Sequence, residues 1–290
     1  MQFNTVQYGV FFVVVFALHW ILPQRGRRLF LLLASFYFYA SFIPQYLLLI
    51  LTLTAFNYGI GRWIGRSEQP WRKRLLVLGV AGNLGSLSYF KYSQLLLSTV
   101  HPLLAHLPLL SPIFQDPITL GIILPLGISF FVFEFIHYVA EVYKGMRPMR
   151  NVVDFSLFAA FFPTQIAGPI KRFPDWAKQL QHPLAFREVD VDGGVGLILR
   201  GLLKKVLVAD TLASVVGDLF AKPGTLGWAA TWFAIFAFAI QIYCDFSGYT
   251  DIGRGSAQLL GFSVPENFQR PYQSASPAEF WHRWHMSLST

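Results

Sequence analysis

The chain has 290 residues, of which 54% are hydrophobic and only 13% charged, and its mean hydropathy is +0.47. Soluble domains carry roughly 25% charged residues, so this composition excludes a soluble globular protein and indicates a multi-spanning integral membrane protein. The net charge of +8 does not indicate a nucleic-acid partner, because the basic residues occur in short runs between apolar segments.

Six apolar segments reach or approach the roughly 20 residues that a helix needs to cross a bilayer. They cover residues 6–22, 29–42, 46–60, 75–89, 118–138 and 226–243. We therefore predict an all-α fold, a polytopic bundle of transmembrane helices, as one membrane-embedded domain spanning residues 1–290. In this scheme residues 1–92 hold four transmembrane helices, residues 117–142 hold the next, and residues 193–244 form two more.

Basic loops between membrane spans stay in the cytoplasm, and here they alternate with loops that lack Lys and Arg. The basic residues are Arg25, Arg27 and Arg28, then Arg62, Arg66, Arg72, Lys73 and Arg74, then Lys144, Arg147 and Arg150. Residues 42–45 and 93–116 contain neither Lys nor Arg, which places them outside, the latter as a leucine-rich helical hairpin. The amino terminus is then outside, and the first segment is expected to be an anchor rather than a cleaved signal.

An apolar stretch at residues 155–169 is too short to span and contains Pro163, Gly168 and Pro169. We predict that residues 153–170 form a re-entrant segment. Irregular backbone at membrane depth is tolerated only where protein or a water-filled cavity covers it, so a cavity is expected nearby. The polar residues 171–192 are interpreted as a cytoplasmic loop.

Residues 193–220 are helical in period but carry Arg200, Lys204 and Lys205 along one side. Charges in such a segment usually face a bundle interior or an aqueous pathway. The alternative is that the long side chains extend to the cytoplasmic interface. The sequence leaves both interpretations open.

Glu134 and His137 stand at the i, i+3 spacing of a carboxylate-bridged metal half-site, and Glu141 extends the same face. A di-metal bundle needs a second Glu-x-x-His motif, and the sequence has none. We therefore interpret these residues as a buried polar pair lining a cavity and predict no metal site.

Asp245 and Asp251 flank a predicted turn at Ser247 and Gly248. The two carboxylates can bind a cation, but helix capping and turn hydrogen bonds are the simpler explanation. The single cysteine, Cys244, is interpreted as a packing residue.

The last fifteen residues show a helix start in which Ser276 is the N-cap, Pro277 the first helical residue and Glu279 the partner of a capping box. A continuous helix would give one apolar row and, beside it, a second row that includes His285. The rows are Phe280, Trp284 and Leu288, and then Trp281, His285 and Ser289. His282 would be exposed.

A shielded imidazole such as that of His285 can take a proton from a hydroxyl nucleophile near neutral pH, as acyl transfer requires. The alternative is a hydrogen-bonded helix residue at the interface, because a single histidine without a known partner is weak evidence.

Six strings in order resemble the membrane-bound O-acyltransferase family, and in particular its bacterial alginate O-acetyltransferase branch. They are LPLGISFFVFEFIHYVAEVYKG, FFPTQIAGPIKRF, LRGLLKKVLVADTL, YCDFSGYTDIGRGSAQLLGF, PENFQRPY and SPAEFWHRWHMSLST. The resemblance implies a helix bundle around a funnel on the cytoplasmic side, with an acyl donor arriving from there and the acyl group passed outward. Residues 245–290 form the family's signature region.

The WHMSLS histidine of the family corresponds to His285, which the resemblance makes a supporting catalytic residue. The family's principal histidine belongs to a later Trp-His-Gly type motif, so the chain is expected to be a fragment, with residues 1–290 inactive alone, rather than a remnant that has lost activity. Residues expected to contact substrate are Asp245, Ser247, Asn267, Arg270, Glu279, Trp281 and Trp284.

The first functional hypothesis is acetyl transfer toward an exported polysaccharide, as in alginate O-acetylation, with acetyl-CoA as donor and no bound cofactor. The expected setting is the bacterial inner membrane, with the lipid bilayer and a periplasmic acetyltransferase of the polysaccharide-export machinery as partners. D-alanyl transfer to teichoic acid is the second hypothesis. A non-catalytic membrane transporter or scaffold is the third, since polar cavities and re-entrant backbone also suit transport.

Overall fold

The computed structural model describes residues 1–105, 121–166, 168–221, 224 and 226–289, and in these ranges the fold is almost wholly helical, as predicted. The helices are α1 Val6–Ile21, α2 Gln24–Ala40, α3 Tyr46–Ile64, α4 Trp71–Ala105, α5 Ile128–Tyr143, α6 Val152–Ala160, α7 Phe173–Gln181, α8 Val191–Leu202, α9 Asp210–Phe220, α10 Trp228–Leu259, α11 Pro277–Arg283 and α12 Met286–Ser289. A π-helix, Leu203–Ala209, joins α8 to α9. Among the residues described, strand-like pairing is limited to one isolated bridge, between Phe268 and Trp284.

Two of these helices, α3 and α10, are long and apolar enough to cross a membrane, and α1 is a shorter apolar helix. The predicted segments 6–22, 29–42, 46–60 and 226–243 each overlap one helix. The chain forms two compact units, one made of Met1–Phe42 with Val153–Thr290 and the other of Ile43–Val152.

Helix α4 differs from prediction, because residues 93–105 continue it instead of starting a hairpin. A proline forfeits the hydrogen bond to the carbonyl four residues earlier, and the backbone stays helical through Pro102 despite that loss. Residues 106–116 of the predicted hairpin lie outside the described part of the chain. Of the predicted helix at 117–142, residues 117–120 lie outside the described part of the chain and residues 121–127 are not helical. Helix α5 begins at Ile128, after Gly127 in the left-handed conformation with φ +70°.

The unit Ile43–Val152 is held together by close contacts among α3, α4 and α5. Asn57 and Asn83, both fully buried, exchange side-chain hydrogen bonds of 3.0 and 2.7 Å between α3 and α4. Such amide pairs stabilise helix contacts inside an apolar environment. On α3, a side chain at Gly61 would collide with Tyr138 of α5, so this glycine permits the close approach of the two helices.

Helices α8 and α10 of the other unit also pack through glycines. A Cβ at Gly201 would lie 2.5 Å from the Gly248 carbonyl oxygen, and one at Gly255 would lie 2.5 Å from that of Gly194. The pairs run in opposite directions along the two helices, so α8 and α10 are antiparallel. Small residues at both crossings let the backbones approach closely.

The predicted re-entrant segment is covered by protein. After α6 a single turn, Phe162–Thr164, is fully buried, and the Phe162 N–H donates to Ser35 Oγ at 3.2 Å. A side chain at Gly253 of α10 would collide with the Pro163 carbonyl. The irregular backbone therefore lies against α2 and α10. Protein covers it, as irregular backbone at membrane depth requires.

The segment predicted as a cytoplasmic loop, residues 171–192, is instead partly helical. Its helix α7 buries Phe173, Trp176 and Leu180, whose spacing of three and four places them on one face. The many polar residues of this segment occupy the other face of α7 and the turns that follow.

Candidate functional site

The carboxyl-terminal helix begins as the sequence predicts. Ser276 Oγ accepts a hydrogen bond from the Glu279 N–H at 3.2 Å, and Pro277 is the first helical residue. Glu279 Oε2 in turn accepts from the Ala275 N–H at 2.7 Å. The capping interactions are therefore confirmed, with the return bond made one residue earlier than in a standard capping box.

The prediction of one continuous helix through His285 is wrong. Helix α11 stops before Trp284, which pairs with Phe268, and the Met286 N–H donates to the Asn267 carbonyl at 2.9 Å. His285 takes the left-handed conformation with φ +50°. Pairing with the preceding loop supplies backbone hydrogen bonds that replace those of a continuing helix, so the two predicted side-chain rows do not form.

The aromatic contacts around this break differ from those predicted for the second row. Trp284 stacks on Phe280 with ring centroids 5.5 Å apart and meets Phe268 edge-on at 5.0 Å. Trp281 is exposed, and its ring packs against Phe280 rather than against His285. The structure thus keeps the Phe280 and Trp284 contact and turns Trp281 outward.

His285 is nevertheless buried, with 7% of its surface exposed, whereas His282 is exposed as predicted. Its ring centroid lies 5.0 Å from that of Phe246 on α10. Burial lowers the pKa of His285, because a desolvated imidazole disfavours its charged form. The side chain is therefore neutral at pH 7 and can take part in hydrogen bonding or accept a proton.

Hydrogen bonds fix the residues after His285 between two distant parts of the chain. Asn267 is fully buried, and its Oδ1 accepts from the Ser287 N–H at 3.3 Å. Ser287 Oγ accepts from the Ile170 N–H at 3.0 Å. This chain of contacts joins the loop before α11 to the end of the predicted re-entrant segment, with His285 at the junction.

Sequence reasoning missed one residue of that segment, Gln165, and the residue that directly follows the segment, Lys171. Lys171 is buried, its Nζ donates to Thr164 Oγ1 at 2.7 Å, and it lies 5.9 Å from the ring of Trp176. Gln165 is buried as well, and neither polar atom of its side chain has a partner among the residues described. The signal available in the sequence was that Gln165 and Lys171 are polar residues within a largely apolar string. Lys171 was instead interpreted as the start of a solvated loop.

A cleft of about 490 Å³ opens beside these residues. Lys171, Arg172 and Trp176 line it on one side, and Glu266, Met286 and Ser287 line it on the other. The volume lies within the range of roughly 300–1,000 Å³ that is usual for small-molecule sites. The two residues that follow His285 therefore form part of the wall of a polar, ligand-sized cleft.

The carboxylates of α10 do not flank a turn, because the helix continues through Ser247 and Gly248. Asp251 is 7% exposed in its side chain, and it accepts from Arg200 Nε at 3.0 Å and from Lys204 Nζ at 2.7 Å. Glycine in an apolar helix here serves close packing against α8 rather than a turn.

The second carboxylate, Asp245, is more exposed and lies 2.5 Å from Lys205 Nζ, which also contacts Asp210 at 2.8 Å. All three basic residues of the 193–220 segment thus pair with carboxylates of the protein, and whether they also face an aqueous pathway or the cytoplasmic interface stays a prediction. Within the described ranges, no group of three or more His, Cys, Asp or Glu side chains could hold a metal ion.

The other predicted substrate contacts are scattered. Ser247 is buried, and its Oγ has no partner in the described part of the chain. Arg270 is exposed with φ +48°, while Glu279 is engaged by the helix start and by Arg283 at 2.5 Å. Of the predicted set, the structure brings Asn267 and His285 to the same junction, and the binding roles of all these residues stay predictions.

Glu134 and His137 belong to the other compact unit. Glu134 is buried on α5 and His137 is half-buried, while Glu141 pairs with Lys144 at 2.8 Å. Glu134 is therefore buried as expected, while the polar pair that it would form with His137 and the cavity proposed for them stay predictions.

These features define a helical protein with two helices long and apolar enough to cross a membrane and with a buried histidine beside a polar cleft. The sequence profile of the MBOAT, membrane-bound O-acyltransferase, family matches residues 109–290. The chain belongs to this family.

Relatives with assigned names agree with that membership. A probable alginate O-acetylase of Pseudomonas aeruginosa is 40% identical over 298 residues, covering 100% of this chain and 55% of the relative. A peptidoglycan O-acetyltransferase of Helicobacter pylori is 31% identical over 312 residues, covering 97% and 56%. A teichoic acid D-alanyltransferase of Bacillus subtilis is 29% identical over 183 residues, covering 57% and 42%. The chain spans little more than half the length of the first two relatives.

Proposed function

We propose that this chain is the part of an O-acetyltransferase that moves an acetyl group from cytoplasmic acetyl-CoA toward an exported polysaccharide. Whole-chain similarity to alginate O-acetylases supports acetyl transfer over D-alanyl transfer, for which the similar relative matches only part of the chain. The observation that carries the proposal is the buried His285 at the junction beside the polar cleft.

In the proposed reaction a hydroxyl oxygen of the acceptor attacks the thioester carbonyl carbon. A carbon–oxygen bond forms, the carbon–sulfur bond breaks, and the hydroxyl proton passes through a base to the departing thiolate. Neutral His285, held rigidly between Phe246 and the Asn267 loop, serves this step as a supporting group that orients or polarises a reactant. Positioned groups of this kind act by being fixed before the reaction occurs.

The wall of the cleft carries two cationic side chains that suit the donor and two carboxylates, Asp175 and Glu266, of which Glu266 pairs with Arg254. Lys171 and Arg172 lie on its wall, and cationic side chains bind the phosphate groups that coenzyme A carries. In this proposal the cleft opens to the cytoplasm, the helix bundle forms a funnel, and the amino terminus lies outside the bacterial inner membrane. A periplasmic acetyltransferase of the export machinery would receive the acetyl group.

Labelled acetyl-CoA offered to the purified whole protein, of which residues 1–290 are a part, in proteoliposomes with polymannuronate outside, tests the proposal. Transfer of label to the polymer, or to a periplasmic partner added with it, supports acetyl transfer. A parallel arm supplies a D-alanyl carrier protein, and transfer only in that arm would overturn the acetyl assignment. No transfer in either arm by the intact protein would favour the transporter or scaffold hypothesis.

Arg172→Gln tests the donor site in the same assay. Loss of one charged hydrogen bond to phosphate costs about 1.5–3 kcal/mol, so KM for acetyl-CoA should rise by roughly tenfold or more with kcat little changed. Arg187→Gln is the matched control, because Arg187 is exposed on the turn Phe186–Glu188 and is not part of the cleft wall. An unchanged KM for Arg172→Gln would remove the cleft from the donor path.

A further inference from the structure

His285 has a backbone conformation that residues with a side chain rarely take. Its φ of +50° lies in the left-handed region, which is sparsely populated outside glycine. Among the described residues that have a side chain, only Arg270 shares a positive φ. A residue in such a conformation costs free energy and keeps it only where the surrounding structure imposes it. The contacts that impose it on His285 are therefore part of how the site is built.

Two oxygen atoms of Asn267 hold the residues that follow His285. The Asn267 carbonyl accepts a hydrogen bond from the Met286 N–H at 2.9 Å, and Asn267 Oδ1 accepts from the Ser287 N–H at 3.3 Å. The antiparallel bridge between Phe268 and Trp284 places Asn267 opposite His285. A single residue thus fixes both peptide N–H groups that come directly after His285.

The amide of Asn267 is oriented by this contact and by no other that the described residues provide. The side chain is fully buried, and because Oδ1 accepts from an N–H group, Nδ2 is the remaining donor. Nδ2 has no partner in the described part of the chain. A buried donor without a partner costs free energy. What the amide supplies at this position is therefore the acceptor oxygen for the Ser287 N–H, at the expense of an unmade hydrogen bond.

The conformation held in this way decides where the imidazole of His285 lies. In a helix continued from α11, His285 would lie beside Trp281, whose side chain is exposed. Instead its ring lies 5.0 Å from the ring of Phe246, which also contacts Phe268 at 5.0 Å. Side-chain direction depends on the backbone angles, so the contact of the imidazole with α10 depends on the left-handed conformation of His285.

We propose that Asn267 is a positioning residue for His285, which holds the backbone after His285 and so directs the imidazole into the site. This inference rests on the proposed function, in which His285 acts by being fixed before the reaction. Asn267 then acts through His285 and does not touch the reactants, unlike the substrate contact that the family resemblance implies.

The rate of acyl transfer by the whole protein in proteoliposomes, measured per folded molecule with the donor that the protein uses, tests the proposal. Asn267→Ala should lower the rate by up to about 10²-fold, since displacing a reacting group by about 1 Å can cost that much. The double variant with His285→Ala should be no slower than His285→Ala alone, because residues that act as one unit are not additive. Asn267→Asp, which keeps a side-chain oxygen for the Ser287 N–H, should retain more activity than Asn267→Ala.

Asn83→Ala is the matched control, because Asn83 is also fully buried and hydrogen-bonded through its amide but belongs to the other compact unit. It should leave the rate per folded molecule unchanged. A second measurement does not depend on transfer. Diethyl pyrocarbonate modifies accessible imidazoles, and mass spectrometry of the peptide that contains His285 should show faster modification in Asn267→Ala than in the unchanged protein or in Asn83→Ala.

Full activity of folded Asn267→Ala would overturn the proposal and leave the proposed function standing. A double variant that shows the product of the two single losses would also overturn it, because Asn267 would then act independently of His285. Unaltered modification of His285 in Asn267→Ala would contradict it as well. Absence of transfer by the unchanged whole protein from acetyl-CoA and from a D-alanyl carrier would refute the proposed function, and the modification rate would still decide whether Asn267 holds His285.

Discussion

Replacing Asp251 by asparagine removes a buried negative charge while keeping the shape of the side chain. The two cations nearest that charge are Arg200 and Lys204, which lie 3.0 and 2.7 Å from the same oxygen, while Arg254, 3.8 Å from the other oxygen, has Glu266 as a closer partner. The variant would leave both cations facing each other across a neutral amide. Because the contacts join α8 and the π-helix to α10, the substitution should loosen the packing of these elements.

The expected magnitude follows from burial. Removing one partner of a buried ion pair costs about 3–5 kcal/mol, but the Arg200 side chain is 55% exposed, so solvent screens part of the loss. We expect Asp251→Asn to lower the free energy of unfolding by about 2–3 kcal/mol, between the buried and the exposed limits. Asp245→Asn is the control. Asp245 is 51% exposed and Lys205 keeps Asp210 as a partner, so its loss should stay below about 1 kcal/mol.

Equilibrium unfolding by SDS in mixed micelles measures the free energy of unfolding of Asp251→Asn and of Asp245→Asn. The single variant Arg200→Gln and the double variant Arg200→Gln with Asp251→Asn then measure the coupling between Arg200 and Asp251. The double variant should be less destabilised than the sum of the two single changes. Equal destabilisation by Asp251→Asn and Asp245→Asn, or strict additivity in the double variant, would refute the assigned network.

Three further predictions test packing, topology and protonation. Gly201→Ala should destabilise the protein because its Cβ would lie 2.5 Å from a carbonyl oxygen of α10, whereas Gly196→Ala, with nothing within 4 Å, should be neutral or slightly stabilising in the same unfolding assay. Pro148→Cys in a Cys244→Ser background should resist a membrane-impermeant thiol reagent in intact cells, and labelling would contradict a cytoplasmic position. Stability should fall as pH drops below about 6.5, because the unfolded chain protonates at His285 more readily than the folded one. Thermal unfolding across pH should show that loss reduced in His285→Gln.

The positions of most helices could be predicted because their signals are local. An apolar length, a proline or a capping serine acts over a few residues, and α1, α3 and the start of α11 follow such signals. The errors occurred where a local signal was overruled by packing. Gly248 was interpreted as a turn residue, but its lack of a side chain serves the contact between α10 and α8.

The candidate site was only partly predictable, since its geometry depends on residues far apart in the chain. The break at Trp284 depends on pairing with Phe268, and the position of His285 depends on Asn267 and on a hydrogen bond from Ile170 to Ser287. The partner residues of these contacts lie outside the last fifteen residues, so no periodicity within that segment predicts them. The burial of His285 was predicted correctly, although for a helix phase that the structure does not have.

Acyl transfer by the whole protein carrying His285→Ala, normalised to folded protein in detergent, tests the central claim most directly. Loss of a positioned acid, base or hydrogen-bonding group should lower activity by about 10²–10⁴-fold, while His285→Gln should retain part of it and exposed His282→Ala should lose little. Residues 1–290 alone should show no transfer. A folded His285→Ala protein with full activity would contradict the account.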